Sequence, residues 1–208
     1  FVNKYLESQL LSGKGRAYGV ELYGKKNKGK LTGWLSYTLG WTERKVDGIN
    51  YGGDQLNRKG SWYPTRFDQR HNIKMAAFYE LNDRITFSAN FAYISGTPTT
   101  FPTDRITVGG YVIPYINNNE RNNYRIPDYH RLDVGMTINN VWRGKKGRSG
   151  EDNIAISFYN AYARQNPFSI YFSQERGRPS MDNPVATNAT QLSIIGTFIP
   201  AISYNFKF

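Results

Sequence analysis

From Ile194 to the end the chain alternates in period two, with Ile194, Gly196, Phe198, Pro200, Ile202, Tyr204, Phe206 and Phe208 at even positions. Between them lie Ile195, Thr197, Ile199, Ala201, Ser203, Asn205 and Lys207. Successive side chains of a strand point to opposite faces, so this is a ribbon with one oily side and one side that turns polar. Six further segments repeat it. Leu31 to Thr42 sets Leu31, Leu35, Tyr37, Leu39 and Trp41 against Thr32, Ser36, Thr38 and Thr42, with Trp34 alone on the wrong side. Tyr18 to Tyr23, Asn72 to Leu81, Ile85 to Tyr93 and Arg131 to Asn139 alternate in the same way. Ile154 to Ala163 starts well and loses its register at Asn160, where a bulge or a departure from the apolar zone is expected.

Seven such ribbons exclude a helical bundle. Only 39% of the 208 residues are apolar, and mean hydropathy is -0.62, so a large dry core is not expected. No apolar run is long enough for a spanning helix. The chain has no Cys, which removes disulfides and thiolate metal sites.

The connections between ribbons alternate short and long. Lys25 to Lys30, Asn82-Asp83 and Arg143 to Asp152 are short, while the intervening ones are long, polar and rich in Gly, Asn, Tyr and Pro. A soluble sandwich has no reason to gather every long loop at one end, whereas an outer-membrane barrel has short periplasmic turns and long external loops. Tyr37, Trp41, Tyr79, Tyr93, Tyr204, Phe206 and Phe208 lie near the ends of apolar stripes, where interfacial aromatic girdles form. The expectation is an all-β, antiparallel transmembrane barrel segment of about seven strands covering residues 1–208. Barrels of this kind are closed and, in bacteria, even-numbered. Seven strands therefore read as the C-terminal part of a larger barrel, and Phe1, where an initiator Met would stand, as a cut end.

The net charge of +11 raises nucleic acid as a partner. Its densest clusters, Lys25, Lys26, Lys28 and Lys30, and Arg143, Lys145, Lys146 and Arg148, fall in turns, away from the aromatic segments. No nucleic-acid face is expected.

Several stretches resemble the C-terminal barrel of TonB-dependent outer-membrane receptors of the Bacteroidetes type. They are Ser12 to Glu21, Tyr63-Pro64 with Phe67-Asp68-Gln69-Arg70-His71, Ser95-Gly96-Thr97-Pro98, and Arg125 to Asp133. Tyr159-Asn160, Asn166-Pro167 and the terminal Tyr204-Asn205-Phe206-Lys207-Phe208 complete the set. The resemblance implies a barrel of 22 strands with an N-terminal plug, importing a scarce ligand by force transmitted from the inner membrane through the TonB complex. It also implies a place in the outer membrane of a Gram-negative cell, contact with lipopolysaccharide and outer-membrane lipid, and a surface lipoprotein as a further partner. Phe208 resembles the terminal signal read by the barrel-assembly machinery. The plug and the TonB-contacting segment are not read in this sequence. The alternatives are a passive porin-like or structural barrel and, third, a soluble all-β binding module.

Ligand contact is expected from the long connections: Trp62, Tyr63 and Arg66 in the first, Tyr111, Tyr115, Asn117, Arg121 and Tyr124 in the second, and Arg176 in the third. Aromatic faces and amide forks suit a sugar, peptide or chelate. Lys74, Glu80, Arg131 and Asp133 are expected to face a wet lumen. His71 with Asp68 and His130 with Asp133 raise a metal site, but convergent ligands are not evident, and no metal or cofactor is expected. The glycine-flanked lysines at Lys14 and Lys145-Lys146 lack phosphate-loop spacing. Asp104, Glu120 and Asp128 have no fixed separation that would make a paired acid and base, and no enzyme is expected.

Overall fold

The computed structural model of the chain describes residues 10–53, 56–109, 111–141, 151–174 and 187–207. Alternation yields strands. β1 (Gly13–Lys26), β2 (Leu31–Val46), the two-residue β3 (Tyr63–Pro64), β4 (His71–Glu80) and β5 (Ile85–Ile94) come first. Four short strands follow, β6 (Pro98–Thr99), β7 (Asp104–Val108), β8 (Tyr111–Tyr115) and β9 (Tyr124–Arg125), and then the long β10 (Tyr129–Asn139) and β11 (Glu151–Tyr159). β12 (Ser169–Gln174), β13 (Thr187–Leu192) and β14 (Ile199–Lys207) complete the order. Among the described residues the helical content is a single 3-10 turn, Asn118–Glu120, so the protein is all-β.

The long strands form one antiparallel sheet in the order β1-β2-β4-β5-β10-β11-β14, and β3 continues the line of β4 along β2. Each long strand pairs with the next in the chain, so short and long connections fall at opposite ends. β7–β8 and β12–β13 are hairpins within the long connections, and β6 pairs with β9 at the foot of the second. The sheet is open among the described residues: β1 and β14 each pair along one edge only, and no closed barrel is formed.

Register makes the alternation two continuous faces. Reading straight across the strands, Leu31, Tyr79, Phe87, Met136, Ile156 and Ile202 are directly paired in sequence and share one side. Thr38, Asn72, Lys74, Asn90, Asp133, Thr137, Ser157 and Asn153 occupy the other. Among the described residues no layer covers the apolar side: Ile202 is 74% exposed and Val20 58%, and Ala76 and Val112 are the buried apolar residues.

The apolar band runs obliquely to the strands. On β1 it centres on Val20, whose partner Leu39 lies eight residues along β2 from Leu31, which is level with Ile202 on β14. At about 3.4 Å per residue and 4.8 Å between strands, the band steps about 27 Å along the strands over a width of about 29 Å. The strands are therefore tilted about 43° from the normal to the band.

Strand ends and departures from the alternation have local causes. β11 ends at Tyr159, at the break in alternation expected at Asn160, because Asn160 adopts a left-handed φ of 55° and turns its side chain inward. Pairing in the last ribbon begins at Ile199 rather than Ile194, although Phe198 already packs on Phe158 at 6.3 Å. Trp34 does sit on the polar side, opposite Ala76 and stacked on Tyr23 at 6.4 Å, which accounts for the burial of Ala76. Phe208, the clustered bases from Arg143 to Arg148, and Arg176 lie outside the described residues.

Candidate functional site at the long-connection end

Every motif behind the family resemblance, apart from the two terminal pieces, meets at one end of the sheet, at the feet of the long connections. Asp68 is completely buried there and accepts the Thr42 backbone N–H at 2.7 Å. Its other oxygen takes Arg70 at 3.3 Å and a closer bond from Arg125. Arg125 also donates to the carbonyl oxygens of Asp68 at 3.0 Å and Gly96 at 2.9 Å. Gly96 cannot be another residue, because a Cβ would lie 1.6 Å from the Ile126 carbonyl oxygen. Its N–H donates to Asp128 at 2.8 Å, and Tyr93 donates its hydroxyl to the same carboxylate at 2.6 Å.

The third connection joins the same network. Asn160, 1% exposed, donates its backbone N–H to the Asp133 carboxylate at 2.9 Å and its side-chain amide N–H groups to the carbonyls of Arg164 and Thr197. Asn166 pairs with both backbone groups of His130, at 3.0 and 2.9 Å. Arg164 donates to the Asp128 carbonyl at 3.3 Å. The feet of all three connections are thus cross-tied by charged and amide side chains.

Burial alone would raise the Asp68 pKa, yet the bonds from Arg125, the Thr42 N–H and Arg70 outweigh it and hold the carboxyl below its ordinary value. Asp128 is also lowered, first by Tyr93, then by the Gly96 N–H, against the opposing effect of burial. A carboxylate with a depressed folded pKa adds stability that is complete above its unfolded value, about 3.9, and is lost as pH falls through the folded pKa. Amide exchange at Thr42 and Gly96 is therefore expected to be slow at about pH 5 and to accelerate in acid below about 3.9, well before the paired sheet opens.

The candidate contact residues divide into three groups. Asn117, Arg121 and their asparagine neighbours tie connections to each other: Asn117 donates to Asp104 at 2.9 Å and caps the 3-10 turn, and Arg121 bonds Asn118 at 3.0 Å. Asn50 pairs with the Arg121 backbone at 2.7 and 2.9 Å, while Asn122, with φ 56°, reaches the Pro64 carbonyl at 2.6 Å. The amide forks that suggested ligand contact are in good part satisfied internally. Tyr63 pairs with Arg44, Arg66 lies 5.2 Å over Phe67, and Trp62 carries Arg16 at 4.2 Å over its ring.

The third group is a platform. Tyr124 stacks on Phe101 with centroids 4.0 Å apart, and Phe172 of β12 meets Phe101 edge-on at 4.8 Å. Tyr124 is 45% and Phe172 38% exposed, so the cluster offers aromatic surface to solvent, and Tyr115, paired with Asp104 at the base of the β7–β8 hairpin, is 43% exposed. Phe101 and Phe172 carry no sequence signal that links them, since they lie on different connections, and only the meeting of the second and third connections makes them one surface. Of Tyr111 the backbone pairing with Val108 is described.

Lys74, Glu80, Arg131 and Asp133 all lie on the polar face. Arg131 bridges Asp133 at 3.0 Å and bonds the hydroxyls of Tyr129 and Tyr159. The two histidines turn to tyrosines, His71 to Tyr37 at 2.9 Å and His130 to Tyr162 at 2.8 Å. No group of three metal-ligating side chains converges among the described residues. Asp104 and Asp128 each bond a local partner. No family model, curated protein or solved structure matches the chain.

Proposed function

We propose that this chain is part of a β-barrel in the outer membrane of a Gram-negative cell, belonging to a receptor that takes up a scarce ligand by TonB-dependent transport. The observation that carries the membrane reading is the oblique apolar band. A strand tilt of about 43° falls in the range of transmembrane barrels, about 35–45°. Leu132 to Ile138 on β10 runs about 20 Å along the strand, about 15 Å of height at that tilt, which fits within the ~25 Å apolar belt of such barrels. The flat projection of a band about 29 Å by 20 Å reaches the top of the ~300–600 Å² that soluble monomers expose.

Two aromatic belts bound the band. Tyr18 stacks on Trp41 at 5.4 Å toward the long connections, and Tyr79, Phe87, Tyr204 and Phe206 stand on the same face toward the short turns. Energy coupling rests on the family resemblance, whose residues are those that tie the connections together. The platform of Phe101, Tyr124 and Phe172 suits a ligand with flat apolar faces, such as a sugar or an aromatic chelate.

Fractionation of cells making the whole protein tests this. Recovery in the outer membrane, release only by detergent and a heat-dependent shift in gel mobility are expected. Recovery in the aqueous fraction would overturn the membrane reading. Ligand uptake that stops when the proton gradient is collapsed supports TonB coupling, and uptake that persists makes the protein a passive pore.

A further inference from the structure

The top of the apolar face on β1 and β2 carries an arrangement that costs energy as it stands. Lys14 and Lys45 are directly paired on that face, two like charges opposite one another on neighbouring strands. Lys59 lines the same groove, together with Asp47 and Trp62. The neighbouring carboxylates are already engaged: Glu43 holds Arg16 at 2.6 Å, and Asp47 accepts the Gly60 N–H at 3.0 Å. None of the three lysines has an ion-pair partner among the described residues.

Depth along the strand says what could sit between them. Lys14 is six residues from Val20, the centre of the band on β1; with the strand tilt, that places it about 15 Å from the midplane. Half of the ~25 Å apolar belt is about 12.5 Å, so the lysine pair stands just beyond the hydrocarbon, at headgroup level. Below it on the same face come Arg16 with Glu43, then the Tyr18–Trp41 stack, then Val20, Leu22 and Leu39.

We propose that Lys14, Lys45 and Lys59 form a binding site for the phosphate of a membrane lipid in the leaflet at the long-connection end, with its acyl chains lying along Tyr18, Val20 and Leu22. The phosphate offsets the repulsion within the lysine pair, and ammonium groups suit it as point charges. Trp62, under Arg16, walls the groove on the solvent side. The site rests on the membrane reading above but is separable from it, because the sheet can insert without holding a particular lipid.

The test is native mass spectrometry of the whole protein in detergent micelles, with hexa-acylated diphosphorylated lipid A as probe. Retention of lipid A is expected, falling at least about tenfold in Lys14→Gln/Lys45→Gln, where charge-assisted bonds are lost. Lys14→Arg/Lys45→Arg is expected to restore retention, which separates loss of charge from loss of fold. Equal retention of dephosphorylated lipid A would overturn the proposal, as would retention unchanged in the glutamine variant. Displacement of the lipid by millimolar inorganic phosphate would make it a free-anion site and likewise overturn it. A protein that needs no detergent at all fails the membrane reading instead, and that result is distinguishable at the extraction step.

Discussion

On the proposed membrane reading, arginine in place of Met136 is expected to lower the folding free energy by about 2–4 kcal/mol, the cost of a guanidinium near a bilayer midplane. Arginine at the next residue, Thr137, is expected to change it by less than about 0.5 kcal/mol. Met136 stands between Phe87 and Ile156 on the apolar face, whereas Thr137 stands between Thr86 and Ala155 on the polar one. A soluble sandwich would also resist Met136→Arg, since its apolar face would be its core. The deciding quantity is the gradient along β10. His130 shares the face of Met136 but lies five residues from the centre of the stripe, near the aromatic belt. His130→Arg should cost no more than about 1 kcal/mol if the neighbouring phase is lipid, because the penalty fades toward the interface. Denaturant titration in bilayers reads all three. A flat cost along the strand, or a penalty at Thr137 equal to that at Met136, would remove lipid from the explanation.

The faces of the sheet were legible because period two is a local property that survives in any pairing of strands. β4, β5 and β10 lie within two residues of their alternating segments, and all seven ribbons became neighbours in chain order. What alternation cannot carry is register. The oblique course of the band is a relation between strands: it emerges only when Val20 is seen opposite Leu39 and Ile202 opposite Ile156. The break at Asn160 was legible in the alternation, but its cause was not: Asn160 ends β11 through a backbone conformation and four hydrogen bonds to residues scattered from Asp133 to Thr197, and none of these is encoded in its neighbours.

The site was legible in its residue types and misleading in their use. An asparagine run beside tyrosines suggested ligand-binding amides, yet Asn50, Asn117, Asn122, Asn123 and Asn166 mainly bond backbone or local partners, standing in for strand pairing where the chain turns irregular. Conversely, Asp68 entered the sequence reading as a companion of His71, and proves to be the buried centre of the tie between the first two connections. The charge of Arg125, 57 residues away, is what makes that burial tolerable.

Removing that carboxylate is therefore expected to have the other large effect. Asp68→Ala leaves Arg125 and Arg70 facing each other without their shared anion, and leaves the Thr42 N–H without its 2.7 Å acceptor. The two arginines are about a third exposed, so water takes up part of their charge, and the loss is expected at about 1–3 kcal/mol, most of it from the unsatisfied Thr42 N–H and the broken charge-assisted bonds. Asp68→Asn keeps the shape and loses the charge, so it should recover only the Thr42 bond and about 1 kcal/mol. The loss should be local, since Asp68 lies off the long strands of the sheet: exchange should quicken at Thr42, Gly96 and Asn122 while amides of β10 and β11 stay protected. The double variant Asp68→Ala/Arg125→Ala should cost less than the two single changes added together, by at least about 1 kcal/mol, as contacting charges require. If Asp68→Ala alone changes stability by under about 1 kcal/mol, or the two changes simply add, the tie is not what holds the connections together.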